Sequence, residues 1–205
     1  MVFDIFENKP ILKDTYGLVV CGGASSRMGM DKGLIQYYTK PQRYRIYDML
    51  KPLCKEVLIS CNKHQVAKLK PNIPYLVDMP EYERIGPMAA LLSAFTKFSK
   101  KNILFIGCDY PYLKKNDILE FSKVCKTDEP AAFCNAKNNM YEPMLAWYPH
   151  SCADLLMEKY EAKQYSLRIF LQQCNAYKFF PENKQSIISI DTYRDYMKAY
   201  KTING

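Results

Sequence analysis

The chain has 205 residues, enough to bury one hydrophobic core, and its 48% hydrophobic and 24% charged composition is that of a globular protein. No apolar run approaches the roughly 20 residues of a membrane span, and MVFDIFENKP lacks the basic and apolar regions of a secretion signal, so a cytoplasmic protein without membrane partners is expected. The net charge of +8 suits an anionic ligand, whereas scattered lysines (Lys97, Lys100, Lys101, Lys114, Lys115) without interleaved aromatics argue against nucleic acid.

In chain order, residues 1–14 read as a polar lead-in containing Pro10. Tyr16 to Cys21 is an apolar, β-branched run of strand length without polar alternation, as suits a strand buried on both faces. It empties into Gly22-Gly23-Ala24-Ser25-Ser26, followed by Arg27, Asp31 and Lys32. A strand, a small-residue loop and nearby cations are how α/β proteins hold nucleotide phosphates: backbone N–H groups supply dipoles and the cations supply charge. The loop is not a Walker A motif, since Met30 follows Gly29, nor a G-x-G-x-x-G fingerprint, since its first two glycines are adjacent. The plainer alternative is a Gly-rich βα turn carrying surface charges.

Gly33 to Tyr38 suggests a short strand or turn, and Tyr44 to Leu53 has helical spacing. Glu56 to Ser60 reads as a second strand leading into a short helix, and Tyr75 to Val77 as a third strand ending at Asp78. Pro87 suits a helix N-terminus, with Met88 to Phe98 as the helix. Asn102 to Gly107 is the most apolar strand and ends in Cys108-Asp109-Tyr110-Pro111, before a helix over Lys114 to Cys125. Strands over Ala131 to Cys134 and Glu142 to Tyr148 flank the turn Lys137-Asn138-Asn139. Helices over Ser151 to Lys163 and Ser166 to Gln173, a strand over Ile187 to Ile190 and a helix over Thr192 to Lys201, with Asp191 as its cap, complete the chain. The alternation predicts an α/β fold: a doubly wound, mostly parallel sheet in three α/β/α layers, within one domain over residues 1–205. Eight cysteines without C-x-x-C spacing, several in apolar runs (Cys21, Cys61, Cys134), read as reduced core thiols, and the distant His64 and His150 do not suggest zinc.

In an open parallel sheet, ligands bind beyond the carboxyl ends of the strands. Cys21-Gly22-Gly23, Ser60-Cys61-Asn62, Asp78 and Asp109 therefore share one rim. Asp109, ending the most buried strand beside a phosphate loop, is placed to hold Mg²⁺, which takes one or two carboxylates and fills its other positions with phosphate and water. Its alternative is a cap on the Tyr110-Pro111 turn. Asp78 has the same alternative beside a ribose, base or second-metal role.

The stretch Gly22-Gly23-Ala24-Ser25-Ser26-Arg27-Met28-Gly29-Met30-Asp31-Lys32 resembles the signature loop of the molybdenum cofactor guanylyltransferases, the MobA-like family. Cys108-Asp109-Tyr110-Pro111 resembles that family's metal-binding turn. Gly86-Pro87-Met88-Ala89-Ala90-Leu91 resembles its G-P-x-A-G-L element with Ala90 in place of the second glycine, and of two asparagines near residue 60 only Asn62 is kept. Ser189-Ile190-Asp191-Thr192 lacks both asparagines of the family's Asn-x-Asn-Thr. The resemblance implies transfer of GMP from GTP to molybdenum-bearing molybdopterin with Mg²⁺ as cofactor and release of pyrophosphate, and molybdoenzyme apoproteins as downstream partners. It implies catalytic roles for Arg27, Lys32 and Asp109, with Asp109 the metal ligand. It implies nucleotide contacts from Val20, Cys21, Gly22, Gly23, Lys32, Ser60, Asn62, Asp78, Gly86 and Asp109, a nucleotide-binding part over about 15–113 and an acceptor-binding part over about 114–205. The rivals are cytidylyl or other nucleotidyl transfer to molybdopterin or a sugar or polyol phosphate, and a non-catalytic module that binds guanine nucleotide or cofactor.

Overall fold

The strands are β1 (Leu12–Val20), β2 (Cys54–Cys61), β3 (Tyr75–Val77), β4 (Asn102–Gly107), β5 (Ala131–Asn135), β6 (Met140–Tyr148) and β7 (Tyr177–Phe179). In the computed structural model, which describes residues 10–21, 31–126 and 128–205, they form one sheet in the order β3-β2-β1-β4-β6-β5-β7. The pairs β1/β2, β1/β4, β2/β3 and β5/β7 are parallel, and β6 runs antiparallel to both β4 and β5. The signature loop, Gly22 to Met30 with Gly22, Gly23 and Arg27, lies outside the described residues.

The helices are α1 (Gln42–Leu50), α2 (Lys63–Val66), α3 (Pro87–Lys97), α4 (Lys115–Ser122), α5 (Ala153–Glu161), α6 (Leu167–Gln173) and α7 (Tyr193–Asn204). Side chains alternate across the central strands, so each strand feeds two cores. Val19, Leu104 and Ile106 pack with Ile46, Leu50, Ile118 and Phe121 from α1 and α4. Leu18, Val20, Ile103 and Phe105 pack with Leu91, Phe95, Leu156 and Phe170 from α3, α5 and α6. Each fully buried side chain of this kind contributes about 1.5–3 kcal/mol, so β1 and β4 are anchored from both faces of the sheet. The three-layer α/β/α expectation holds.

Three local readings change. β1 starts at Leu12, inside the expected lead-in, because Leu12 N–H donates to Leu53 O (2.8 Å) and its side chain is buried. The exposed Lys13 and Asp14 disguise a strand whose register shifts there. Ile187 to Ile190 is not a strand: Ile190 N–H donates instead to Asp109 O (2.9 Å), laying the segment over the β4 turn. The cap of α7 is Thr192, whose Oγ1 accepts from Asp195 N–H (3.2 Å), rather than Asp191. All eight cysteines are free thiols. Among the described residues no helix is long and apolar enough to cross a membrane.

Candidate functional site

The carboxyl ends of β1, β2, β3 and β4 lie side by side on one rim. Asp31, just beyond the undescribed loop, is fixed from two sides: its carboxylate accepts from Gly33 N–H (2.9 Å) and from the Gln65 amide Nε2 (3.0 Å). Gln65 belongs to α2 and exchanges two bonds with Asn62 in a capping box. The loop exit is therefore tied to the end of β2, and Lys32 is presented from a short 3-10 turn whose cap is Asp31. The Lys32 ammonium pairs with Asp191 at 2.7 Å, joining the rim to the segment before α7.

Asp109 lies beyond β4, and its Oδ1 is buried without a hydrogen-bond partner. Burial pushes its carboxyl up to about 6; Lys32 acts in the opposite direction and Asp191 reinforces the rise. Gly107 makes room for that oxygen, since a Cβ there would stand 2.6 Å from Asp109 Oδ1. Among the described residues no group of three or more His, Cys, Asp or Glu side chains is placed to hold a metal ion. A single unpartnered carboxylate oxygen nevertheless fits a hard cation that draws most of its ligands from phosphate and water.

On the β2–β3 side, a cleft of about 650 Å³ is lined by Val20, Ser60, Asn62, Val77, Asp78, Glu83, Arg84, Gly86 and Ala90, among others. Asp78 has a buried, unpartnered Oδ1; burial and the neighbouring Glu83 push its carboxyl up to about 6, against a lowering by the Ser60 hydroxyl. Gly86 (φ 71°, ψ −148°) starts α3 in a conformation that only glycine adopts at low cost. Arg84, with φ 69°, holds a left-handed backbone at the cleft edge, a strain that concentrates at ligand sites.

The structure thus gathers Val20, Ser60, Asn62, Asp78 and Gly86 around one cleft, with Lys32 and Asp109 further along the rim. Asn62 lines the cleft while its Oδ1 caps α2. The Cys21 side chain packs in the core, its N–H donates to Ser60 O (3.0 Å), and its thiol meets that of Cys108. Lys63, Glu83 and Arg84 were missed, because they follow no strand-end pattern. Glu142 was missed as well. It accepts from Tyr110 OH (3.2 Å), and burial pushes its carboxyl up, with Arg168 pulling it back.

These groups share one open α/β rim, the place where ligands of parallel sheets bind. The chain belongs to the family of MobA-like NTP transferase domains, which it matches over residues 17–177. It is 31% identical over 184 residues to a molybdenum cofactor biosynthesis bifunctional protein of Synechocystis, covering 88% of this chain and 52% of that protein, so it spans about half of that relative's length. It is 26% identical over 152 residues to a molybdenum cofactor guanylyltransferase of Pseudomonas putida, covering 74% of this chain and 78% of that enzyme. The fold is similar to the crystal structure of molybdopterin-guanine dinucleotide biosynthesis protein A from Archaeoglobus fulgidus, with a TM-score of 0.71, 20% identity and coverage of 92% and 98% of the two chains.

Proposed function

We propose that this protein transfers GMP from GTP to molybdenum-bearing molybdopterin and releases pyrophosphate, on a single domain whose residues 15–113 take the nucleotide and whose residues 114–205 take the acceptor. The observation that carries the reading is the joint placement of Lys32, Asp109 and the Asp78 cleft on one rim, within a chain of this family. The nucleoside enters the cleft between Ser60, Asp78 and Gly86, where the unpartnered Oδ1 of Asp78 meets donor groups of ribose or base. Its phosphates run toward the loop of Gly22, Gly23 and Arg27. Lys32 exchanges its Asp191 partner for phosphate oxygens, and the charge growing on the leaving pyrophosphate is balanced by Lys32 and Arg27. Asp109 would hold Mg²⁺ through its unpartnered oxygen, the ion supplying charge neutralisation at the transferring phosphate. The acceptor's phosphate attacks the α-phosphate in line; no nucleophilic side chain is required. The protein works in the cytoplasm, and its product passes to molybdoenzyme apoproteins.

The test is pyrophosphate release with each of GTP, CTP, ATP and UTP, with Mg²⁺ and molybdopterin, beside the melting shift each nucleotide produces. GTP is expected to dominate both readouts. A clear CTP preference moves the protein to cytidylyl transfer, and nucleotide binding without any release makes it a carrier.

A further inference from the structure

Cys21 and Asp31 stand on either side of residues 22–30, and one side chain reaches both of them. Gln65, in the first turn of α2, is buried, with 7% of its surface exposed. Its Nε2 donates to Asp31 Oδ2 (3.0 Å) and lies 3.5 Å from Cys21 O, the outer limit of a hydrogen bond. Its Oε1 accepts from Asn62 N–H (3.0 Å), and Asn62 Oδ1 accepts in return from Gln65 N–H (3.1 Å). The orientation of the amide is thereby set. Turned over, it would face the Asn62 N–H with its own NH₂ and lose its bond to Asp31.

The second Asp31 oxygen, Oδ1, accepts from Gly33 N–H (2.9 Å), so each oxygen has a donor within the protein. The carboxylate shapes the 3-10 turn that carries Lys32. That turn is pressed onto the end of β1: a Cβ on Gly33 would stand 3.2 Å from Cys21 Cβ and 3.3 Å from Arg43 Cδ. From the turn, the Lys32 side chain, 20% exposed, extends to Asp191. At the other end of the chain of bonds, Asn62 and Lys63 line the nucleoside cleft. One amide therefore stands between the wall of the cleft and the turn that aims the ammonium.

We propose that Gln65 is a positioning residue for Lys32. It locks the Asp31 turn to the capped start of α2 and so fixes the ammonium relative to a nucleotide seated against Asn62 and Lys63. The role presupposes Lys32 at the phosphates of GTP, the reaction proposed for this chain. A lysine carries its charge on a flexible four-carbon stem, so its placement depends on how firmly its backbone is held. A displacement of about 1 Å at a catalytic group costs about 100-fold in rate.

The experiment exchanges the polarity of the pair. Gln65→Glu keeps an acceptor for Asn62 N–H, and with it the α2 cap, but sets a carboxylate against Asp31. Asp31→Asn keeps an acceptor for Gly33 N–H but sets an NH₂ against that of Gln65. In the double variant the new amide at position 31 donates to the new carboxylate at position 65, and the bond returns with donor and acceptor exchanged. Three quantities are read in the full chain: kcat for pyrophosphate release, the GTP-induced melting shift, and labelling of Lys32 by an amine-reactive reagent, quantified by mass spectrometry against the exposed Lys55.

Each single variant should lose at least tenfold in kcat while GTP affinity changes less than threefold, and the double variant should return to within threefold of the wild-type kcat. Without nucleotide, Lys32 labelling should rise at least threefold in the single variants and fall back in the double variant. A Gln65→Glu protein with wild-type kcat and labelling reduces Gln65 to a helix cap and overturns the role. A double variant that fails to fold, or that is no better than either single variant, overturns it as well. If the wild type releases no pyrophosphate, the transfer reading fails by itself, and the labelling of the free protein still decides for or against Gln65.

Discussion

Asp109→Asn separates the stability of the rim from its chemistry. Burial lifts the Asp109 carboxyl from the usual 3.8 to about 6. At about 1.4 kcal/mol per pH unit, holding the ionised form costs the folded protein at most about 3 kcal/mol. The residue keeps part of its surface in water and asparagine brings an amide of its own, so the net gain on removing the charge is about 1–2 kcal/mol. At 205 residues this raises the melting temperature by about 2–8 °C near pH 8. The sign follows from the direction of the shift. The folded state binds the Asp109 proton more tightly than the unfolded chain, so the penalty is full above the folded value and fades as pH falls toward 3.8. The advantage of asparagine should therefore shrink to about half by pH 5. Pyrophosphate release should be lost, because a neutral amide is a poor ligand for a hard cation. Melting curves at pH 8 and pH 5, with the release assay, check all three points. An Asp109→Asn protein that is no more stable at pH 8, or gains as much at pH 5, refutes the burial argument; one that still turns over refutes the metal assignment.

Gly107→Ala should lower kcat by about 10- to 100-fold while leaving the GTP-induced melting shift in place, since the new methyl stands 2.6 Å from Asp109 Oδ1 and displaces the carboxylate without touching the nucleoside cleft. A variant of unchanged kcat would show that the carboxylate position is not restrictive. Lys32→Ala should cost kcat far more than GTP affinity, because the ammonium serves charge that grows in the transition state; Lys55→Ala, exposed at the opposite end of β2, is the control, and equal behaviour of the two would remove Lys32 from the site. Lys32→Arg should rescue poorly, as a planar fork does not replace a compact ammonium. Thr192→Ala should cost about 1 kcal/mol through the lost α7 cap, read in urea melts, and no loss would return the cap to another residue.

Where the chain alone was informative, the reason was local. Apolar runs mark the strands of the parallel half of the sheet, and β3 and β4 carry the limits their sequences suggest. The rim residues Ser60, Asp78 and Asp109 were legible because each ends or directly follows such a run, and a parallel sheet gathers those ends without further information. β7 gave no signal: its three residues are a strand only because they pair with β5. Lys32 with Asp191, Tyr110 with Glu142, and Gln42 with Tyr110 are partners 159, 32 and 68 residues apart. No periodicity encodes such separations. They exist because the segment before α7 folds back over the Asp109 turn, because β6 reverses direction beside β4, and because the start of α1 lies against the same turn, and all three are decisions of tertiary packing.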